Sequence, residues 1–357
     1  NPISIRLSAI AKDKAPEPVF SVAAALKDPR RILIITDGQP GSLFLSASKF
    51  WAIRHRYPEA QVSLLAPSHK AYIAKEIPFV DDVIVYKDFL LPLGNKHRDV
   101  IRTLQKKDFD IAFCLTSVES FCPAYLCYKS RAHLRVGFQR EDFPFFNVRI
   151  VPHKETFYEL ERLALLLRTL GIPQLKERVS WSVSKEGAQK LRERYLVGGS
   201  TGERFVAFDV SSGAGDRPTN RQLLGIAEGS TALPNTRALV FFDYEKRKFA
   251  NQIKELLGNK VLLFQTDDLP KVVALLEACV QLISCHTDLF QLGVAMGMPV
   301  AGIFSSRDVL RWVPSDRDHV DILAYETIKN WSPYKLNDAI RRNLSSLISK
   351  KMEVSQG

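Results

Sequence analysis

Three short segments of the sequence combine small residues with charged or hydroxyl side chains, and each directly follows an apolar run. They are residues 36–42 (TDGQPGS), 211–218 (SSGAGDRP) and 285–288 (CHTD). Small residues at the start of a helix leave backbone N–H groups free to bind a phosphate, and Arg217 would add a positive charge for a diphosphate. Ordinary tight turns have the same composition, and neither GxGxxG nor GxxxxGKS occurs. The segments therefore indicate either phosphate-binding loops or structural turns.

Predicted strands and helices alternate along most of the chain, because short β-branched apolar runs are separated by longer amphipathic stretches. The predicted strands are 31–35, 61–65, 82–86, 111–115, 205–210, 238–242, 261–264, 281–284 and 300–304, and the predicted helices are 43–56, 96–107, 154–170, 245–257, 269–278, 289–296 and 336–349. Such alternation is typical of βαβ units and parallel sheets. The polar segment 174–203 separates two series of these units, which predicts two α/β domains.

The composition is that of a globular protein with an excess of positive charge. The chain has 357 residues, 46% of them hydrophobic and 25% charged, which suffices for two domains with cores of their own. A net charge of +11 favours anionic partners such as phosphorylated sugars, anionic lipid or nucleic acid. Because no basic stripe with interleaved aromatic residues is evident in the sequence, nucleic acid is not the expected partner.

Cysteines and apolar runs exclude several other classes of protein. The spacings of the five cysteines match no zinc pattern, and most lie in apolar segments, so we expect reduced, buried thiols. No apolar run reaches the roughly 18 residues that a membrane-spanning helix needs. The first 31 residues carry charges that are not typical of a signal peptide.

From Ile32 to Pro314 the chain resembles glycosyltransferase family 9, the heptosyltransferases. The resemblance rests on the order and spacing of 32–35 (ILII), 52–60 (AIRHRYPEA), 135–138 (RVGF), His153, 170–173 (LGIP), 275–279 (LLEAC), 297–304 (GMPVAGIF) and 311–314 (RWVP). It implies an α/β protein of the GT-B fold, in which two Rossmann-like domains face each other across a cleft.

The resemblance also implies a division of the chain into domains. Residues 1–30 would form an N-terminal extension, 31–175 a Rossmann-like acceptor domain, and 176–333 a Rossmann-like nucleotide-sugar domain. Residues 334–357 would form a helix that crosses back to the first domain.

The sequence departs from the family at the position of the general base. The family has Gly followed by Asp in its first loop, whereas this chain has Gly41 and Ser42. A serine hydroxyl does not accept a proton near neutral pH. Asp37, on the same loop, is the nearest substitute, although Asp before Gly is also a common turn pair. We therefore name Asp37 and Ser42 as candidate catalytic residues and keep the turn as the alternative for Asp37.

Further departures lie in the second half. Where the family has Asp-Thr-Gly-x-x-His, this chain has His286, Thr287, Asp288 and, at the last position, Gln291. His286 either faces a ligand or bonds within its loop, and Asp288 either contacts a ligand or caps the next helix. Lys246 occupies the position of a donor-contacting Glu, with Glu245 beside it. The candidate donor-binding residues are Ser211, Ser212, Gly213, Arg217, Asp243, Glu245, His286, Thr287, Asp288 and Gln291, and the candidate acceptor-binding residues are Arg135 and Arg140.

Two functions follow from an intact scaffold with substituted polar positions. The first is metal-independent, inverting transfer of a sugar from a nucleotide-sugar of the ADP-heptose type to a phosphorylated, lipopolysaccharide-like or other glycan acceptor. The second is an inactive GT-B protein that binds protein partners in an assembly. We expect no cofactor, no metal and no nucleic acid, and a cytoplasmic location, with peripheral contact at the inner face of the cytoplasmic membrane.

Overall fold

The computed structural model describes residues 21–87, 95–116, 121–139, 145–151, 158–173, 181, 184–196, 202–314 and 319–356; for residues 95, 96 and 350–356 it describes the backbone alone. The chain divides into two compact units, Asn1–Val179 and Ser180–Gly357. Each unit is built on a six-stranded sheet of parallel strands.

Strands and helices alternate in the first unit. In chain order they are α1 (Val22–Ala25), β1 (Arg31–Ile35), α2 (Ser42–Arg56), β2 (Gln61–Pro67), α3 (Ala71–Ala74), β3 (Asp82–Tyr86), α4 (Asn95–Lys107), β4 (Ile111–Cys114), α5 (Phe121–Lys129), β5 (Leu134–Phe138), β6 (Val148–Ile150) and α6 (Glu159–Thr169). The strand order in the sheet is β3-β2-β1-β4-β5-β6.

Helices cover both faces of the sheet in the first unit, which is why its central strands are apolar without alternation. Residues 32–35 of β1 are all completely buried. On one face, Leu33 and Ile35 belong to a core that includes Leu104 of α4 and Leu126 of α5. Helices α2 and α6 contact each other. The chain direction reverses sharply before α2 because Gly41 has a φ of 75°, a conformation that glycine adopts without strain.

The same alternation is repeated in the second unit. Its elements are α7 (Lys185–Tyr195), β7 (Arg204–Asp209), α8 (Asn220–Ser230), β8 (Thr236–Phe242), α9 (Arg247–Leu257), β9 (Val261–Gln265), α10 (Leu269–Leu276), β10 (Cys279–Ser284), α11 (Asp288–Met296), β11 (Val300–Phe304), α12 (Ser306–Trp312), β12 (Val320–Ala324), α13 (Tyr325–Ile328) and α14 (Pro333–Gln356). The strand order is β9-β8-β7-β10-β11-β12, equivalent to that of the first unit.

The order of the strands determines where a ligand would bind. The chain winds outward in one direction from the first strand of each unit and then in the other direction from the fourth strand. The loops that follow these two neighbouring strands separate at the carboxyl edge, and open α/β sheets bind their ligands at this switch point. In the second unit the switch point lies between β7 and β10, so the loops that begin at residues 210 and 285 meet there.

The long helix α14 packs lengthwise against α8. Two glycines of α8 permit the close approach: a Cβ at Gly229 would lie 2.6 Å from the carbonyl oxygen of Asn337, and a Cβ at Gly225 would overlap that of Pro333. Leu336, Ile340 and Leu344 of α14 are buried in the same core as Ile226 and Ala227 of α8. The predicted crossing of residues 334–357 to the first domain stays a prediction.

Most predicted elements are present with small shifts at their ends, but several elements, among them β6, α5 and α8, were not predicted, and three predictions need correction. Val300–Phe304 was expected to be the last strand, whereas β12 follows it and pairs with it in parallel over five residues. The polar segment 174–203 contains the helix α7. Residues 245–246 belong to a short 3₁₀ helix, Tyr244–Lys246, so the α-helix α9 begins at Arg247. The first part of the predicted helix 154–170 lies outside the described residues.

Candidate functional site

The two loops at the switch point of the second unit contact each other through their backbones. The amide of Ala214 donates to the carbonyl oxygen of His286 over 3.0 Å. Gly213 allows this approach because a Cβ there would overlap that same carbonyl and lie 3.0 Å from Cγ2 of Thr287. The segments 211–218 and 285–288 therefore form one structure, in which the small residues permit close packing of backbone on backbone.

Asp209, the last residue of β7, forms hydrogen bonds with residues of both loops. Its side chain is 1% exposed. One carboxylate oxygen accepts the amide of Ser211 at 2.9 Å, and the other accepts the hydroxyls of Ser284, at 2.8 Å, and Thr287. Burial raises the pKa of this carboxyl, although the hydrogen bonds oppose the shift. Because its oxygens bond residues of both loops, Asp209 fixes their relative position.

Arg217 bonds back to the first residue of its own loop, 211–218. Its Nη2 donates to the carbonyl oxygen of Ser211 over 2.6 Å. Burial raises the pKa of the Cys285 thiol to about 11, and the nearby guanidinium of Arg217 opposes this shift. The positive charge of Arg217 thus lies between the two loops, half-buried, where its remaining N–H groups can bind an anion.

Two carboxylates lie at the outer side of the β7 loop. Asp243 accepts the amide of Ser212 at 2.7 Å, and Glu245 accepts its hydroxyl at 3.0 Å. Asp243 also caps the 3₁₀ helix by accepting the amide of Lys246 at 3.1 Å. The predicted residues Ser212, Asp243 and Glu245 are therefore brought together, as acceptors that suit the hydroxyl groups of a sugar.

The side chain of His286 points into an aromatic environment. It is 2% exposed, and its ring centroid lies 4.7 Å from that of Trp312 and 5.5 Å from that of Phe304. Gln291 is also buried, and its amide donates to the carbonyl oxygen of Trp312 over 2.7 Å. In this geometry both predicted donor-contacting side chains stabilise the loop and its neighbours, and their contact with a donor stays a prediction.

Helix α11 begins at the same place. The hydroxyl of Thr287 accepts the amide of Phe290 at 3.2 Å, and Asp288 is the first residue of the helix. Thr287 is therefore the N-cap, and the interpretation of Asp288 as the cap is wrong. The remaining amides of the first turn point toward the carboxyl edge of the sheet, with the positive end of the helix dipole.

In the first unit, Asp37 and Ser42 occupy the corresponding loop after β1. Asp37 is 3% exposed, its Oδ1 accepts the amide of Gln39 at 3.1 Å, and its carbonyl accepts the Ser42 hydroxyl at 3.1 Å. A carboxylate that accepts the amide two residues later is typical of an Asx turn. The turn interpretation of Asp37 therefore has structural support, and the role of general base stays a prediction.

The predicted acceptor residue Arg135 is buried in β5. Its Nε donates to the carbonyl oxygen of Phe145 at 3.1 Å and its Nη1 to that of Ala132 at 2.9 Å. These bonds hold the segment beside β5, and contact of Arg135 with an acceptor stays a prediction. Arg140 lies outside the described residues.

Similarity to known proteins was sought with sequences and with structures. No protein-family model and no curated protein sequence matches the chain. A glycosyltransferase of family 9 from Veillonella parvula matches with a TM-score of 0.73 and 16% identity, over 92% of this chain and 100% of the other. The E. coli ADP-heptose lipopolysaccharide heptosyltransferase II matches with a TM-score of 0.71 and 18% identity, over 90% and 99%.

A third structure, the E. coli heptosyltransferase WaaC with ADP-2-deoxy-2-fluoro heptose, matches with a TM-score of 0.64 and 16% identity, over 88% of this chain and 99% of the other. The chain has the GT-B fold. The resemblance to the heptosyltransferases expected from the sequence is thereby confirmed at the level of the fold.

Within this GT-B fold, sequence reasoning missed the residues that support the site. Asp209 and Ser284 are the last residues of strands that are mostly apolar, and Asp209 was placed inside a predicted strand. A polar residue at the carboxyl end of a buried strand is a signal that could have identified both. Asp308 was also missed: it accepts the hydroxyl of Ser305 at 2.9 Å and lies where a Cβ of Gly215 would be.

Among the described residues, no cluster of three or more His, Cys, Asp or Glu side chains could hold a metal ion. Within the same residues, no helix is long and apolar enough to cross a membrane. All five cysteines are free thiols.

Proposed function

We propose that the protein transfers a sugar from a nucleotide diphosphate-sugar to a glycan acceptor, and that the second unit binds the donor. The observation that supports this proposal most directly is the convergence of the loops after β7 and β10, locked by Asp209 and by the bond from Ala214 to His286. The N-terminus of α11 and the guanidinium of Arg217, which this convergence places at the same switch point, suit a diphosphate.

The donor in this proposal is of the ADP-heptose type. Two of the structures with similar folds are, by their descriptions, an ADP-heptose heptosyltransferase and a heptosyltransferase with an ADP-linked heptose analogue. The carboxylates of Asp243 and Glu245 would accept hydrogen bonds from the ribose hydroxyls, because they lie at the end of β8 next to the phosphate-binding loop. No cofactor or metal is part of the proposal, since Arg217 and the amides would carry the diphosphate charge.

Transfer with inversion requires one proton transfer and one bond exchange. The oxygen of an acceptor hydroxyl would attack the anomeric carbon as the bond from that carbon to the diphosphate oxygen breaks, and ADP would leave with the electron pair. Asp37 is the carboxylate proposed to take the hydroxyl proton. The N–H groups around Arg217 would stabilise the charge that grows on the diphosphate.

The acceptor in this proposal is a phosphorylated, lipopolysaccharide-like or other glycan, met at the inner face of the cytoplasmic membrane. The net positive charge of the chain, +11, supports an anionic acceptor.

Calorimetry with ADP, UDP and GDP tests the donor half of the proposal. We expect ADP to bind most tightly, and Arg217→Ala to weaken it by about ten- to a hundredfold. Arg217→Lys, which retains the charge, serves as the control.

Measurement of the rate of sugar transfer tests the catalytic half of the proposal. We expect Asp37→Asn to reduce sugar transfer by at least about a hundredfold while ADP affinity stays unchanged. Equal rates for the wild type and Asp37→Asn would remove Asp37 from the mechanism.

The alternative function is a GT-B protein without catalysis that acts as a binding subunit. It is favoured by Asp37, which serves in a turn, and by Gln291, which is bonded to Trp312 in place of a catalytic side chain. Binding of ADP without transfer to any acceptor would support this alternative, and transfer at any measurable rate would exclude it.

A further inference from the structure

Helix α4 of the first unit has one apolar face and one strongly basic face. Leu104 is completely buried in the core, and Val100 and Ile101 pack against that core. Arg98, Arg102 and Lys106 are exposed and spaced four residues apart, so they follow one line along the opposite side of the helix. We call these three residues the α4 stripe. It covers eight residue steps, about 12 Å.

The charge of this helix is large relative to that of the chain. Its 13 residues contain five basic side chains and one acidic side chain, a net charge of +4 out of +11 for 357 residues. Among the described residues, the one ion pair of the stripe joins Arg102 to Asp99 over 3.6 Å, with both side chains more than 70% exposed. Such an exposed pair contributes little. Within the described part of the chain, the stripe therefore presents three positive charges to solvent with almost no compensation.

The end of α5 lies beside α4 and adds one further positive charge, Lys129. Gln105, next to Lys106, donates to the carbonyl oxygen of Lys129 over 3.1 Å. The Nζ of Lys129 lies 5.3 Å from the ring of Tyr125 and 5.4 Å from that of Tyr128. Both tyrosines also pack against the core and on the ring of Phe145, so they position Lys129 beside α4.

The stripe begins at the edge of the sheet that carries the candidate base. The hydroxyl of Tyr86, the last residue of β3, donates to the carbonyl oxygen of Thr36 over 2.9 Å, which joins the end of β3 to the loop of Asp37. A helix that connects two parallel strands starts at the carboxyl edge and returns to the other edge. Arg98, in the first turn of α4, is therefore at the same edge as Asp37.

We propose that the α4 stripe docks the first unit on an anionic lipid surface through the phosphate groups of the lipids. The inference deepens the proposed function and rests on it for the acceptor, because docking at this edge would bring the loop of Asp37 to a lipid-linked glycan. Lipid is favoured over nucleic acid because the charges form a single short line on the exposed side of a convex helix, which suits a flat anionic surface. Each basic residue near such a surface contributes about a fivefold gain in binding.

The test is co-sedimentation of the full chain with vesicles. Vesicles of phosphatidylcholine that contain phosphatidylglycerol should bind the protein, and vesicles of phosphatidylcholine alone should not. Reversal of the stripe, Arg98→Glu with Arg102→Glu and Lys106→Glu, should reduce binding to the anionic vesicles by at least about a hundredfold, since three attractive charges become repulsive. High salt should release the wild type, because the interaction is screened.

The matched control reverses three exposed charges on a helix of the second unit: Lys185→Glu, Lys190→Glu and Arg194→Glu in α7. It changes the net charge by the same amount, and we expect it to lower vesicle binding by less than about tenfold. Equal losses in the two variants would overturn the proposal, because net charge alone would then explain binding. Unchanged binding of the stripe variant, or no binding by the wild type, would also overturn it.

Two further measurements separate this inference from its alternatives. A duplex RNA that binds the wild type more tightly than the vesicles do, and loses its binding in the stripe variant, would make the stripe a nucleic-acid surface and overturn the lipid proposal. ADP calorimetry and thermal unfolding of the stripe variant should match the wild type. If the wild type binds anionic vesicles but no nucleotide, the proposed transferase function fails while the docking surface stands.

Discussion

Substitution of Gly213 by alanine is the sharpest test of the loop geometry in the second unit. A Cβ at this position would overlap the carbonyl oxygen of His286 and lie 3.1 Å from its carbonyl carbon. Thr287 cannot move away easily, because its hydroxyl is bonded to the buried carboxylate of Asp209. The two loops must therefore separate by about 1 Å to restore ordinary contact distances.

The cost can be estimated from the contacts that change. The bond from Ala214 to His286, now 3.0 Å long, would be lost at about 0.5–1.5 kcal/mol. Overpacking of a tight site costs about 1–3 kcal/mol. We expect the free energy of unfolding of Gly213→Ala to fall by about 2–4 kcal/mol. Displaced amides no longer meet a diphosphate at hydrogen-bonding distance, so ADP affinity should fall at least about tenfold.

Urea unfolding and calorimetry with ADP measure the two effects on the same variant. Gly202→Ala is the control: Gly202 has a φ of +87°, and a Cβ there has nothing within 4 Å. That variant carries backbone strain without a collision, so we expect a loss of stability of about 1 kcal/mol and unchanged ADP affinity. If Gly213→Ala binds ADP as the wild type does, the contact between the loops plays no part in nucleotide binding.

Three other predictions concern stability. Burial raises the pKa of Asp209 above its ordinary 3.8, so its contribution to the free energy of unfolding is largest below that pH and declines as pH rises through the raised pKa. Asp209→Asn should remove this decline, which urea unfolding at a series of pH values upward from 3.8 would measure. Burial, with a smaller effect of Arg168, lowers the pKa of Lys49 from 10.5 to about 8, so the penalty for its charge is complete below that pH and disappears as pH rises toward 10.5. Lys49→Met should therefore raise the free energy of unfolding at neutral pH by about 2–3 kcal/mol, and no gain would show that the ammonium group is adequately solvated. In α8, Gly229→Ala would place a Cβ 2.6 Å from the carbonyl oxygen of Asn337. Thermal unfolding should therefore show that the free energy of unfolding falls by about 1–3 kcal/mol. A rise in that free energy, from the higher helix propensity of alanine, would mean that α14 moves aside freely.

The sequence was sufficient to predict most of the fold because buried parallel strands leave a strong local signal. Residues 32–35, 83–86 and 300–304 are all apolar, and the predicted strands 31–35, 82–86 and 300–304 have the bounds of β1, β3 and β11. The strand β12 was missed because its residues are less buried, with an exposed Asp321, as is typical of a strand at the edge of a sheet. The helix α7 was missed because only Ala188 is buried in it, so it has almost no apolar periodicity.

The site was less predictable than the fold, since its geometry depends on contacts between distant residues. The sequence identified both loops as candidates, but not that the amide of Ala214 would bond His286, 72 residues later in the chain. Spacing also could not show that the ring of His286 packs against Trp312. The role of Asp209 depends on two hydroxyls from β10 and the turn after it, which are distant in sequence.

The sequence departures that the resemblance to the heptosyltransferases implies, such as Ser42 and Gln291, concern side chains. A diphosphate site made of amides needs small residues, such as Gly213, and a buried support, such as Asp209, and both are present. Proton transfer, in contrast, needs one carboxylate at one position, and Ser42 cannot supply it. Binding of a nucleotide can therefore persist through substitutions that would abolish catalysis. For this reason ADP affinity and sugar transfer must be measured separately. Sugar transfer is the more easily lost of the two, because the carboxylate of Asp37 already accepts the amide of Gln39.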